Sequence, residues 1–310
     1  MPEMPMIPGS SSLIRRAAPH VTAIIPTSQR PSVLTATIES LLSQSMTPGK
    51  IVVVASESGD IEECIRDNPK VTLLFERGSL THKRNVALPY VEGKYVFFAD
   101  DDIELHHAYL SEAILLLEDF PGIVGLSGKV LKDGRVTREE AKELIRTTPE
   151  ALHWKGRFPV SGRFKQLYGC NMVLRRSVLE RETFDDELPG YSFGEDYDFW
   201  VRVRRYGITG VYDRCMAVHL QAAGGRSSPA KVAYSLLANH WHFYQKGISH
   251  LPWPWSLFRI GFICVKFPSR SLGALMRGET SRAGQELYGY ALAIADILRG
   301  RSRPSRTLEV

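Results

Sequence analysis

The chain has 310 residues, a formal net charge of +5 and a sequence pI of about 9.0, enough length for one large domain or two modest ones. That basic excess suits phosphorylated ligands or anionic surfaces and is too small to argue for a nucleic-acid partner. Cys64, Cys170, Cys215 and Cys264 stand far apart with no CxxC pair, so neither a zinc site nor a disulfide framework is indicated, and a reducing, cytoplasmic setting fits best.

Residues 1–19, rich in Pro and Ser, read as a disordered arm without the apolar core of a secretory signal. From Val21 the pattern alternates. Val21 to Ile25 is a short β-type run ending at Pro26, and Pro31 opens a helix to about Ser43, where a missing N–H costs nothing. Further strands are expected at Ile51–Val54, Val71–Phe75, Tyr95–Ala99 and Val124–Val130. The helices between them are expected at Ile61–Asp67, Leu80–Leu88 and His106–Phe120. Alternation of this kind predicts an α/β fold, a mostly parallel sheet covered on both faces. Ligands bind beyond the carboxyl ends of such strands.

The stretch from Arg135 to Phe164 is polar and reads as loop-rich. Gln166–Leu174 is a strand candidate, Glu195–Tyr206 a helix, Thr209–Leu220 a pair of short strands and Lys231–Gln245 a helix. Beyond Leu251 the chain is basic and aromatic. Leu251–Phe267 is its most apolar run, but Pro254, Arg259 and Lys266 break it, so no membrane span is expected. Trp253, Trp255, Phe258, Phe262 and Phe267, mixed with Arg259, Lys266 and Arg270, suit either a peripheral place on the inner face of a membrane or a helical cap. Such a cap would pack on the catalytic domain or on a second subunit of a homo-oligomer.

Phe97-Phe98-Ala99-Asp100-Asp101-Asp102 sets three carboxylates at the end of an apolar run. Alternate residues of extended chain point the same way, so Asp100 and Asp102 can converge while Asp101 turns elsewhere. Two converging carboxylates suit Mg²⁺ or Mn²⁺ shared with substrate phosphates. The alternative is a solvated turn or a helix cap. A second acidic group, Glu195-Asp196-Tyr197-Asp198, precedes an apolar-periodic helix. It serves either the helix dipole or a hydroxyl that must lose its proton. His219 reads as a core histidine or as a nitrogen ligand beside the two carboxylates.

In this order the residues resemble the inverting family-2 glycosyltransferases with the GT-A fold, from about Val21 to His219. Thr22–Pro31 is similar to the family's opening strand and turn, Thr81–Ala87 to its "A-x-x-R-N" helix and Asp100–Asp102 to its D-x-D. Gly169–Arg176 is similar to its "G-x-N-x-x-x-R-R" strand, and Gly194–Asp198 to its E-D base motif. The resemblance implies a Rossmann-like mixed sheet with a helical C-terminal extension. It implies a catalytic domain over 20–225, with a nucleotide-binding half to about 130 and an acceptor half beyond it, and an extension over 226–310. It also implies transfer of a sugar from a nucleotide-diphosphate donor to a glycan or lipid-linked acceptor.

Residue by residue, Asp196 would be the base. Asp100, Asp102 and His219 would hold the metal. Pro26, Thr27, Arg30, Arg84, Asp100 and Asp101 would border the nucleotide, and Gly169, Asn171 and Glu195 would line the donor–acceptor cleft. Arg175 or Arg176 would meet phosphate or acceptor charge, or else be solvated. The family's acidic turn after the second strand is replaced by Ser56-Glu57-Ser58, where Glu57 or Ser56 could take over the nucleobase contact. A nucleotidyltransferase is disfavoured because Pro26–Arg30 is no Gly-rich phosphate loop. A silent binding module is disfavoured because both acidic groups are present.

Overall fold

The computed structural model describes residues 21–149, 166–188, 192–224, 227–248, 253–278 and 280–302. The arm expected over 1–19 lies outside them, as does 150–164 of the stretch expected to be loop-rich. The chain begins β1 (Val21–Thr27), α1 (Pro31–Leu42), β2 (Lys50–Ala55), α2 (Glu63–Arg66), β3 (Val71–Phe75), α3 (Leu80–Ala87) and β4 (Tyr95–Ala99). It continues β5 (Ile103–Leu105), α4 (Tyr109–Asp119), β6 (Ile123–Asp133), α5 (Arg138–Thr147), β7 (Asn171–Arg175), α6 (Arg176–Leu179), α7 (Glu195–Val203) and β8 (Ile208–His219). Three long helices follow, α8 (Pro229–Gln245), α9 (Trp253–Met276) and α10 (Thr280–Leu298).

The eight strands form one sheet in the order β3-β2-β1-β4-β7-β6-β8-β5. The first four are mutually parallel. β7 then runs antiparallel to both β4 and β6, and β6 is parallel to β8. Both faces are apolar, as expected for strands covered on two sides. On β4, Tyr95, Phe97 and Ala99 join one core and Val96 and Phe98 the other. A third cluster holds α8, α9 and α10 together through Leu237, Ile263, Tyr290 and Ala293.

Three elements differ from the reading of the sequence. β5 is a three-residue strand that pairs antiparallel with β8, Ile103 opposite His219. β8 is one strand, not a pair. Its register against β6 jumps from Tyr212 to Met216, and this irregularity imitates a break. α5 forms where loop was expected, opened by a capping box in which Thr137 and Glu140 satisfy each other's backbone N–H groups.

Gly128 on β6 is required by a close approach. A Cβ there would stand 2.1 Å from the Cys215 carbonyl oxygen and 2.3 Å from Cε2 of Tyr109. Gly128→Ala is therefore expected to lower stability by about 2 kcal/mol or more, several degrees in thermal midpoint by scanning calorimetry. An unchanged midpoint would show that Tyr109 is free to move aside.

Candidate active site

The two ends of the acidic triplet are held by different strands. The chain leaves the sheet centre at Ala99 of β4 and re-enters at the edge as Ile103 of β5, opposite His219. Asp100–Asp102 span that hop, and the Asp102 carbonyl accepts the Leu220 N–H at 2.9 Å. A strand pairing thus brings Asp102 against a histidine 117 positions further along the chain. His219 Nε2 lies 3.1 Å from Asp102 and 3.7 Å from Asp100. Ligand atoms of Asp100, Asp102 and His219 all lie within 4.8 Å of one another. Asp101 turns to the Thr27 hydroxyl at 2.6 Å and to Arg30 at 2.8 Å. Arg30 also reaches Asp102 at 2.8 Å, so one guanidinium spans two neighbouring carboxylates.

The electrostatics follow from this crowding. Burial pushes the Asp101 carboxyl up to about 7, against the pull of Arg30. Burial would also raise Asp102, but the hydrogen bond and charge of His219, with Arg30, hold it below the ordinary carboxylate value. Burial alone would lower His219. The bond to Asp102 and the charges of Asp100, Asp102 and Asp133 lift it to about 9 instead. The pocket therefore favours positive charge at this point. Two carboxylates and an imidazole form a mixed O/N donor set that fits Mn²⁺ or Mg²⁺. The other nitrogen of His219 faces Asp133 at 2.9 Å, the carboxylate–histidine arrangement that orients a ligating ring. Asp133 in turn accepts from Tyr168 and from Gln221.

Arg84 of α3 joins this group to the second one. Its side chain is wholly buried, with NH1 donating to Glu195 at 2.6 Å and NH2 to Asp100 at 3.2 Å and to the Gly169 carbonyl at 2.9 Å. The guanidinium also lies 5.2 Å from the centroid of Phe184. Gly194, at φ +80°, makes the left-handed turn that delivers Glu195 and Asp196 into the first turn of α7. Asp196 is half-buried and accepts N–H bonds from Gly169 at 3.2 Å and Tyr197 at 2.8 Å. Burial raises its proton affinity despite those bonds. Glu195 is raised further, to about 8, by burial and by the charges of Asp196 and Asp100, in spite of Arg84. A Cβ at Gly169 would stand 2.5 Å from Glu195 Oε1, so any larger residue there would push the Glu195 carboxylate from its place against Arg84.

Two adjoining cavities open here. One, of about 240 Å³, is lined by Pro26, Thr27, Arg30, Ser56, Lys83, the acidic triplet and His219. The other, of about 460 Å³, holds Gly169, Glu195 and Asp196. Leu80, Asp100 and His219 border both, so the two acidic groups face one cleft. Three expected residues are placed otherwise, the first being Arg84, which is wholly buried between the two acidic groups and lines neither cavity. Glu57 turns outward to Arg77 at 3.2 Å, while Ser56 lines the cavity. Asn171 is buried on β7 opposite Ala99 and lines neither cavity. Of the two arginines after it, Arg175 holds the Ile123 carbonyl at 2.7 Å and Arg176 pairs with Glu180 on the surface at 3.8 Å.

Sequence reasoning missed Lys83, Asp60 and Asp133. Lys83 is buried and donates to the Thr27 carbonyl and the Ser56 hydroxyl, each at 2.6 Å. Asp60 ties the turns after β1 and β2 by accepting the N–H groups of Gln29, Ser56 and Glu57. Lys83 lay inside a stretch already singled out, but the other two carried no motif.

A curled eight-stranded sheet of this order flanked by helices matches the fold of GT-A glycosyltransferase structures. Residues 18–232 match the family described as "Glycosyltransferase like family 2", and the chain belongs to that family. It is 24% identical over 196 residues to the GalNAc(5)-diNAcBac-PP-undecaprenol beta-1,3-glucosyltransferase of Campylobacter jejuni, and the match covers 60% of each chain. Among solved structures, the mannosyltransferase PcManGT of Pyrobaculum calidifontis, in complex with GDP-Man and Mn²⁺, superposes at a TM-score of 0.54. It is 18% identical, with 90% of this chain and 88% of that one covered. Residues 1–349 of S. aureus TarS, in complex with UDP-GlcNAc, give 0.51 at 17% identity, covering 91% and 83%. These structural likenesses establish the fold.

Replacing Arg84 tests the link between the two acidic groups. Arg84→Met leaves Glu195 and Asp100 facing each other without a buried cation and is expected to cost about 3–5 kcal/mol in denaturant unfolding. Unfolding like that of the unaltered protein would mean that the ion pairs do not hold the cleft together.

Proposed function

We propose that this glycosyltransferase is metal-dependent and inverting, moving a sugar from a nucleotide-diphosphate donor to a hydroxyl of a glycan or lipid-linked acceptor. One observation carries the reading: Asp102 and Asp196 stand in adjoining cavities with Asp100 and His219 on the wall between them. Asp100, Asp102 and His219 would hold Mn²⁺ or Mg²⁺. When bound, that ion supplies Lewis-acid stabilisation of the departing diphosphate. The relatives named above bind GDP-Man with Mn²⁺ or UDP-GlcNAc, or carry a lipid-linked acceptor in their names.

The chain's own residues divide the remaining work. Pro26, Thr27, Arg30 and Ser56 form the wall of the smaller cavity, where the nucleotide would lie. Lys83 adds a buried cation beside Thr27 and Ser56, suited to a phosphorylated ligand. Asp196 would take the proton of the acceptor hydroxyl as it attacks the anomeric carbon from the side opposite the leaving group. Its raised proton affinity suits a general base. The N–H groups of Gly169 and Tyr197 fix the direction of its carboxylate. Holding both substrates in line supplies a further large part of the rate. Residues 20–225 would form the catalytic domain and 226–310 the helical extension.

Asp196→Asn is expected to cut transfer by at least about a hundredfold while nucleotide-sugar affinity in calorimetry stays within about twofold; near-normal turnover would remove Asp196 as the base. Asp102→Ala, or a chelator added to the unaltered enzyme, is expected to weaken nucleotide affinity by more than about tenfold. Equal affinity with and without metal would contradict the role given to the Asp100–Asp102–His219 trio. Product stereochemistry by proton NMR decides inversion directly.

A further inference from the structure

α9 is apolar on two faces. Its inner face, with Ile263, Cys264 and Phe267, packs in the cluster shared with α8 and α10. A helix bordering water should be polar on its other face. Here Trp255, Phe258, Phe262, Val265, Leu272 and Met276 stand exposed, from 50% at Leu272 to 80% at Met276. Their spacings of three, four and seven residues lay them along one stripe. Only Ser269 interrupts it, and that residue is exposed as well. An exposed apolar surface of this length marks an interaction site.

The charge pattern selects the occupant. α9 carries Arg259, Lys266 and Arg270 and not one Asp or Glu. The Lys266 ammonium lies 5.3 Å from the Phe262 ring, its stem beside the stripe and its charge at the margin. A second copy packed on this stripe would bring cations together with no acidic residue of α9 to answer them. Phosphate-bearing lipids supply the missing anions. No described helix is long and apolar enough to cross a membrane, and Pro268 lies inside this one.

We propose that α9 lies in the plane of an anionic bilayer surface, with Trp255, Phe258 and Phe262 in the headgroup boundary. Arg259 adjoins Phe258 of the stripe. It also lies 5.0 Å from the centroid of the Tyr197 ring and lines the cavity of Asp196. Docking through α9 thus turns the acceptor side of the cleft toward the membrane, and the acceptor is membrane-borne. The membrane-borne acceptor rests on the role given to Asp196 above; lipid binding does not.

Co-sedimentation of the full chain with vesicles tests docking. The protein is expected to pellet with vesicles of phosphatidylglycerol and phosphatidylcholine, to be released by high salt, and to stay in solution with phosphatidylcholine alone. The double variant Phe258→Asp, Phe262→Asp is expected to lose at least about tenfold in binding. Lys266→Glu with Arg270→Glu is expected to lose about tenfold. These side chains are exposed, so thermal midpoints should match the parent protein. Absence of pelleting with anionic vesicles overturns the proposal, as does pelleting that both double variants leave intact. A dimer in sedimentation velocity that Phe258→Asp dissociates, with no vesicle binding, overturns it in favour of a second copy. Vesicle binding together with full turnover by Asp196→Asn keeps the docking surface and removes only the acceptor assignment.

Discussion

One buried guanidinium holds the site together. Arg84 is the largest fully buried side chain among the described residues, closed off from solvent. Taking such a charge out of water costs several kcal/mol unless close anions answer it. Glu195 and Asp100 answer it, and the Gly169 carbonyl takes a third bond. Each of those partners belongs to a different segment, the first turn of α7, the end of β4 and the loop before β7. The cation that must be neutralised therefore fixes the distance between the two acidic groups of the cleft. The arrangement is also one-sided in charge. Arg84, Arg30, Lys83 and the His219 ring are set among Asp100, Asp101, Asp102, Asp133, Glu195 and Asp196, so carboxylates outnumber those cations along the two cavities.

The parts of the fold that were legible in the sequence are those whose signal is local. β1, β2 and β4 are short apolar runs with sharp polar ends, and each was readable within a residue or two. α1 was readable from Pro31, and α7 from its acidic first turn and apolar stripe. The acidic triplet stood out because three carboxylates directly after a buried strand are costly without a cation. Asp100 and Asp102 do come together, but not by strand alternation alone. Asp102 is positioned by the return of the chain as β5 and by the Ala222 N–H at 2.9 Å.

What stayed hidden depends on distant pairing. A strand as short as β5 has no periodicity, and it exists because β8 offers an open edge at His219. Asp133 is the last residue of β6 and looks like any polar strand end. Its meaning comes from register, which sets Asp133 opposite His219. Asp60 serves as a backbone acceptor for three N–H groups from two turns. The sequence offered Glu57 as the nearest acid there, and only the closed turn shows that Asp60 faces inward while Glu57 pairs with Arg77. Lys83 was passed over for its neighbour Arg84, since a lysine on a polar helix usually faces water.

The C-terminal helices are less separate from the chemistry than their composition suggests. Asn239 of α8 donates to the Phe193 carbonyl at 2.9 Å, one residue before the turn that sets α7. Phe243 closes over that turn, 3.1 Å from where a Gly194 Cβ would lie, and packs in the core beneath the sheet. His240 and Phe243 of α8 and Arg259 of α9 then line the same cavity as Asp196. A boundary near residue 226 marks a change in composition, from alternating strands to basic helices, but the wall of the cavity that holds Asp196 is built from both sides of it. The extension is thus placed to shape what enters the cavity of Asp196, because residues of α8 and α9 line it together with those of α7.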